Sequence, residues 1–527
     1  MLRSGITVAF YTFLSRILGL AREVFIADMF GANSTADSVN VALKLPNLFR
    51  RLFAEGALAS VFVPIFSSKL LESKDESERF ASQVFWLLLL VLMILVGLMQ
   101  YFMPSLMVII APGFHGNPQK FELTVLLCRI TMPYLIFISI AALMGGMLNS
   151  VRKFWPFAFA PVLFNLFIIG GAIGMKGYIG AAEAISYAII LSGLAQVIFM
   201  WICTRKAGFS LGLDPRVLCD GLTHKALGSS PRETNNNKDL RKLIRLMIPA
   251  TISSGALQLN IFISQSIASF IPGAVSILSY AERIYQFPLS IIGIAFGTVL
   301  LPELSRLYKS GDKIACEESQ NNGIKFALFL SVPATIGLMM LSNEIINLIY
   351  ERGEFKSQDT IKTAQAMAAF AMGLPAFILT KVFTPIFYAN QDTKTPMKIT
   401  LCALSVNTVL NILLMIPFAH VGIALGSSIA AWFNIWLLVI YAKKHEYFYL
   451  NQDTKSFVIK TIFCSLILAS AIYGGKIIAR DIIVIESLLS KILSLCLIIS
   501  VAIIVYIVTA VFCGILSSKV IKVILKK

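Results

Sequence analysis

Apolar stretches of about 20 residues or more recur along the chain with short polar breaks, the length a helix needs to cross the hydrocarbon of a bilayer. Fourteen are predicted, over 5–30, 36–68, 81–110, 121–149, 155–176, 180–203, 241–270, 274–307, 322–350, 360–389, 397–418, 421–442, 457–477 and 484–516. The pattern predicts an all-α polytopic membrane protein. Only one polar interval is substantial, 204–240, ending in SSPRETNNNKD, and it is too short and too polar to hold a catalytic domain. Arg3, Arg16, Arg22 and Glu23 interrupt the first stretch, which reads as a retained helix and not as a cleaved signal peptide.

The punctuation of these stretches repeats. Pro133 and Pro375, Asn149 and Asn390, Lys153 and Lys394, Pro156 and Pro396, Asn165 and Asn407, Gly180 and Gly422, and Ser186 and Ser428 pair at separations of 240 to 242 residues. A shift of six helices preserves orientation. The expectation is two parallel six-helix repeats related by an axis along the membrane normal, around a central cavity, plus two C-terminal helices. The corresponding divisions are 1–203, a linker loop at 204–240, 241–445, and 446–527 with the two added helices.

Composition changes the question to one of charge. Of 527 residues 57% are hydrophobic and 14% charged, yet 45 Lys and Arg stand against 28 Asp and Glu, a net +17. Nucleic-acid binding needs a soluble basic face, which so apolar a chain does not offer. With the amino terminus inside, 29 of the cations fall in cytoplasmic segments, seven on the opposite face and nine at membrane depth. This asymmetry places both termini in the cytoplasm. The eight cysteines form no CxxC pair and the four histidines are scattered, so neither a metal site nor a cofactor is expected.

The intramembrane cations carry the chemistry. A charge near the bilayer centre costs roughly 2.5–3.5 kcal/mol, so such residues face a polar cavity or a partner. Arg16, Arg22, Arg50 and Arg283 lie roughly 13–27 Å from a predicted helix end at 1.5 Å per residue. Guanidinium forks suit phosphate better than an isolated carboxylate. Internal pairing with Glu23, Asp28, Asp37, Glu55, Glu282 and Glu303 is the competing reading, and both stay open. Lys44 is placed to snorkel and Arg51 to pair with Glu55 one turn on. Lys120 is counted with the outer-face cations.

LKLPNLFRRLFAEGALASVFVP at 43–64, SRILGLARE at 15–23, YAERIYQFPLSIIGIAFGTVLLPELS at 280–305, LIYERGEF at 348–355 and YANQDTKTP at 388–396 resemble segments of the MurJ (MviN) lipid II flippase family. That family lies within the multidrug/oligosaccharidyl-lipid/polysaccharide exporter superfamily. The resemblance implies a transporter in the bacterial inner membrane that moves lipid II, an undecaprenyl-pyrophosphate-linked peptidoglycan precursor, to the outer leaflet. It further implies a pyrophosphate held by Arg16, Arg22, Arg50 and Arg283, supported by Glu23 and Arg51. Asp37, Glu55 and Ser276 match acidic or gating positions, and the last two helices match a groove for the lipid tail. Membrane lipids and cell-wall synthesis proteins are the partner classes it implies. Where some family members place acidic sodium ligands, this chain offers only Ser264, Asn407 and Asn411, so sodium coupling is not expected.

Two other readings differ in what they require. A flippase for another polyprenyl-linked glycan changes only the headgroup, and a drug exporter of the same fold would want carboxylates where arginines dominate. A membrane enzyme acting on lipid phosphates needs a carboxylate–metal or histidine cluster that the sequence lacks.

Overall fold

The computed structural model describes residues 2–51, 59–175, 179–212, 243, 245, 258, 260–483 and 488–515. These form seventeen α-helices in two compact units, 1–275 and 276–527, with no sheet among the described residues.

The first unit opens with α1 (Leu2–Phe30), an unbroken helix of 29 residues that packs against α8. Gly31, at φ 62°, ends it, and the Asn33 side chain accepts from the Ala36 amide to start α2 (Ser34–Arg50). There follow α3 (Ala59–Glu72), α4 (Lys74–Tyr101), α5 (Met103–Ile110), α6 (Pro118–Thr131), α7 (Tyr134–Ser150), α8 (Trp155–Gly174) and α9 (Ala181–Lys206). The start of the linker docks on α4: the Ser210 amide donates to Glu78 and the Gly212 amide to Ser82.

The second unit holds α10 (Ala274–Ser310), α11 (Lys313–Met340), α12 (Ser342–Tyr350), α13 (Ser357–Ala371), α14 (Leu374–Ala389), α15 (Lys394–Lys444), α16 (Gln452–Ile483) and α17 (Leu488–Phe512). The 51-residue α15 is a hairpin. Ala419, at φ 49° and ψ −130°, breaks it, and Asn407 on one arm donates to Ser427 on the other. A Cβ on Gly422 would lie 2.0 Å from the Leu414 carbonyl, so only glycine lets the arms close. The two C-terminal helices pair and bury Cys464, Leu468, Ile498 and Ala502 together with Leu341, while the Tyr506 hydroxyl donates to the Phe329 carbonyl of α11.

Helix starts repeat at 239 or 240 residues: Lys74 and Lys313, Met103 and Ser342, Pro118 and Ser357, Tyr134 and Leu374, Trp155 and Lys394. Four predicted single spans, 81–110, 121–149, 322–350 and 360–389, are thereby broken pairs. Pro133 lies at one of the breaks, and Pro104 and Pro375 are the second residues of the helices that follow two others, since proline removes an N–H and clashes with the preceding turn. The turns after α7 and α14 also match. Arg152 (φ 61°) and Gln391 (φ 59°) take the left-handed conformation, and the next amides, of Lys153 and Asp392, reach back to Leu148 and Phe387.

Nine spans among the described residues are long and apolar enough to cross a membrane, and one of them is the α15 hairpin, which covers two predicted helices. The predicted helices at 5–30, 36–68, 241–270 and 274–307 are outside that set; 52–58 and most of 241–259 are not described.

Candidate substrate-binding site

Arg22 is 8% exposed on the face of α1 that meets α8, and its neighbours there are polar. One guanidinium nitrogen donates to Asn165 Oδ1 at 3.2 Å, the other to Glu23 Oε1 at 2.5 Å, and the Phe164 ring lies 5.5 Å from the guanidinium carbon. Asn165 is held by two bonds of its own, from Nδ2 to the Ser15 carbonyl at 3.1 Å and to the Pro161 carbonyl at 2.9 Å. Those bonds fix the amide so that its oxygen faces the arginine. A buried cation thus has a carboxylate and an oriented amide oxygen, which compensate its lost hydration in a low-dielectric setting.

Arg16 is half-buried, six residues earlier. Because α1 runs unbroken through Gly19, the two arginines are separated by roughly 9 Å of rise and lie on different faces. Arg50 is half-buried at the last residue of α2, its Nε donating to Asn47 Oδ1 at 3.1 Å. Arg51 is exposed at the cap, and Glu55 lies outside the described residues. On α10, Ser276 is fully buried and Arg283 half-buried; a spacing of seven puts them on one face. The adjacent Glu282 accepts from Gln286 at 2.7 Å.

Asp37 is fully buried and holds a partner that sequence reasoning missed. Lys120 Nζ lies 2.7 Å from Asp37 Oδ2, the same oxygen accepts from the Gly273 amide at 2.9 Å, and the ammonium stands 3.8 Å from the Phe114 ring centroid. Lys120, counted among the outer-face cations, is 7% exposed and lies buried against this carboxylate. A signal did exist. Asn117 caps α6 by accepting from the Lys120 amide, which puts a lysine in the first turn, at the positive end of the helix dipole. A cation there calls for an acid.

Asn407 and Asn411 are buried on α15, Asn411 donating to Asn407 at 3.1 Å, while Ser264 is half-buried on the helical stretch 260–268 of the first unit. No group of three His, Cys, Asp or Glu able to hold a metal occurs among the described residues. The lone cations at 129 and 491 bond to Gln100 and Asn347 respectively.

Comparison with known proteins places these features. The family model described as "Lipid II flippase MurJ" matches residues 26–494. A relative from Rickettsia prowazekii (strain Madrid E), described as "Probable lipid II flippase MurJ", is 52% identical over 469 residues, 89% of each chain. A solved structure, "Lipid II flippase MurJ, inward closed conformation", superposes with a TM-score of 0.76 at 27% identity, covering 96% of this chain and 98% of that one. An inward-facing multidrug resistance MATE family transporter of the MOP superfamily shares the fold, with a TM-score of 0.63 at 14% identity over 84% of this chain and 97% of that one. Family model, relative and structure agree over nearly the whole length, and the chain belongs to the lipid II flippase MurJ family, a family of membrane transporters.

Proposed function

We propose that the chain carries lipid II from the inner to the outer leaflet of the bacterial cytoplasmic membrane by alternating access, as required for peptidoglycan synthesis. Arg16, Arg22, Arg50 and Arg283 hold the pyrophosphate; Glu55 and Ser276 close the outer gate, with Asp37 a supporting acid; α16 and α17 line the path of the polyprenyl tail. The observation that carries this reading is the buried Arg22, paired with Glu23 and aimed by Asn165. At rest Glu23 neutralises it. An entering pyrophosphate brings more negative charge and several acceptor oxygens, competes with Glu23 for the guanidinium, and leaves Asn165 in place as the positioning group.

The halves 1–203 and 241–445, joined by the linker 204–240, rock to expose the site to alternate faces, with both termini in the cytoplasm. The membrane potential is a candidate driver of the cycle, at about 2.3 kcal/mol per charge per 100 mV. The test is the leaflet accessibility of lipid II in cells depleted of their own flippase. Arg50→Ala and Arg283→Ala are expected to leave lipid II on the inner leaflet and stop growth, and normal translocation by either would remove that arginine from the site.

A further inference from the structure

The helix α14 is almost wholly enclosed: of its 16 residues only Lys381 and Tyr388 are exposed. Phe377, Lys381, Thr384 and Tyr388 recur at intervals of three and four, so the open stripe of this helix is polar from Lys381 to the Ala389 end. Stripes suited to lipid read differently. On α17 the exposed residues include Leu489, Leu493, Leu497, Ile504 and Val508, an apolar surface that matches hydrocarbon.

Lys381 lies eight residues from the end of α14. That is roughly 12 Å of helix, too far for its stem to carry the ammonium out of the membrane. It makes no hydrogen bond or ion pair among the described residues. A cation at such depth without a protein partner is stable only where it meets water or an anion.

α10 passes on one side of it. The Tyr285 ring stacks on Phe377 with centroids 6.0 Å apart, and a Cβ placed on Gly293 would meet only the Lys381 stem, at 3.9 Å. Glycine at that position keeps the space beside the lysine open. Glu282, Gln286 and Gly293 follow one stripe of α10, with Arg283 next to it, and Glu282 is engaged by Gln286 at 2.7 Å. Lys381 therefore opens beside the polar flank of α10. The helix rise between Arg283 and Gly293 is roughly 15 Å.

We propose that Lys381 is a specificity residue that binds a carboxylate of the peptide carried by lipid II. The inference rests on the reading of the chain as a lipid II carrier. A pyrophosphate held at Arg283 is too short to reach Lys381 as well, whereas the sugars and peptide beyond it extend the headgroup. The residue type fits this division. A guanidinium fork matches phosphate oxygens in pairs, while an ammonium is a compact, strongly hydrated point charge that suits a single carboxylate in a wet cavity. Thr384 and Tyr388 continue the stripe with hydroxyls, which suit peptide amides. A polyprenyl pyrophosphate without the peptide satisfies the arginines and leaves Lys381 unused.

The experiment measures equilibrium binding to the full chain in nanodiscs of two lipids, lipid II and the same polyprenyl-pyrophosphate disaccharide with its peptide removed. The native chain should prefer lipid II by roughly tenfold, the scale of one charge-assisted hydrogen bond. Lys381→Met should lose that preference by weakening lipid II alone, and Lys381→Arg, which keeps the charge, should retain most of it. Arg283→Ala should weaken both lipids alike. Because Lys381 bonds to no described residue, its replacement leaves the packing intact. A Lys381→Cys thiol should react with a membrane-impermeant methanethiosulfonate, and lipid II should protect it. Equal losses for both lipids in Lys381→Met, no loss for either, or a Lys381→Cys thiol that stays unmodified each overturn the proposal. A native chain that binds the two lipids equally overturns it and leaves the functional reading standing; one that binds neither overturns both.

Discussion

The two halves share a backbone plan and differ in what they bury. Helix starts, breaks and the left-handed turns at Arg152 and Gln391 recur at one spacing. The first half buries ions: Arg22 with Glu23, and Asp37 with Lys120. Matching positions of the second half are mostly neutral. Asn165, which receives an arginine, corresponds to Asn407, which bonds Asn411 and Ser427. Asp37 stands 239 residues before Ser276, and both are fully buried. Lys44 stands 239 before Arg283, a cation in each half. The repeated backbone plan keeps its turns and changes its charges.

The largest break in that comparison comes from Lys120→Met. It leaves the Asp37 carboxylate buried without its ammonium, a loss of about 3–5 kcal/mol for a broken buried pair. Thermal unfolding of the purified protein should show it, and Asp37→Asn added to the same chain should restore most of the stability. The residue 239 positions on, Asp359, is half-buried and caps the Lys356 amide at 3.2 Å, so Asp359→Asn should cost about 1 kcal/mol or less. Equal effects in the two halves would erase the distinction drawn between them.

A smaller asymmetry is expected at the paired asparagines. Asn165→Ala removes an acceptor from a charged donor and should cost about 1.5–3 kcal/mol, with lipid II translocation falling as Arg22 loses its aim. Asn407→Ala removes neutral hydrogen bonds and should cost about 0.5–1.5 kcal/mol. Stability and leaflet assays on the pair separate positioning from packing: a stable Asn165→Ala chain with normal translocation would deny Asn165 its positioning role.

Hydropathy made the membrane class legible because it depends on local composition, and the repeat was legible because polar and proline marks recur at one lag of 240 to 242 residues. Of the breaks inside four spans, those near Pro133 and Pro375 had a mark in the sequence, where both prolines stood as punctuation of the repeat; a proline permits either a kink or a full break and packing decides between them. The chemistry of Arg22 was half legible. Its place within an apolar stretch could be read from the sequence, but Asn165 is 143 residues away and had been noted only as a mark of the repeat. Glu23 pairs with Arg22 although successive helix positions do not face one another, because a long guanidinium reaches round where both groups are buried. The Lys120 pairing was not legible because a single lysine in a short polar interval carries no mark of a partner 83 residues away until the fold brings Asp37 beside it.

The smallest expected effect tests the shared plan itself. Arg152 and Gln391 occupy a left-handed conformation that costs a side-chain-bearing residue roughly 1 kcal/mol, so Arg152→Gly and Gln391→Gly should each stabilise by a similar amount in thermal unfolding. One difference should remain between the turns. In the second, Asp392 Oδ1 accepts from the Thr395 amide at 3.0 Å. Slight desolvation pushes its carboxyl up, but hydrogen bonds from Thr395 and the Lys394 amide outweigh that and hold it below the usual carboxylate range. A carboxyl lowered in the folded state adds stability above its unfolded pKa and loses it as the pH falls through the folded value. Asp392→Asn should therefore cost stability at neutral pH and cost nothing once the pH is low enough to protonate Asp392. At the first turn the position of Asp392 is held by Lys153, and Lys153→Gln should show no such pH dependence. If both turns respond alike to acid, the extra cap is not what distinguishes them, and their likeness extends from backbone to charge.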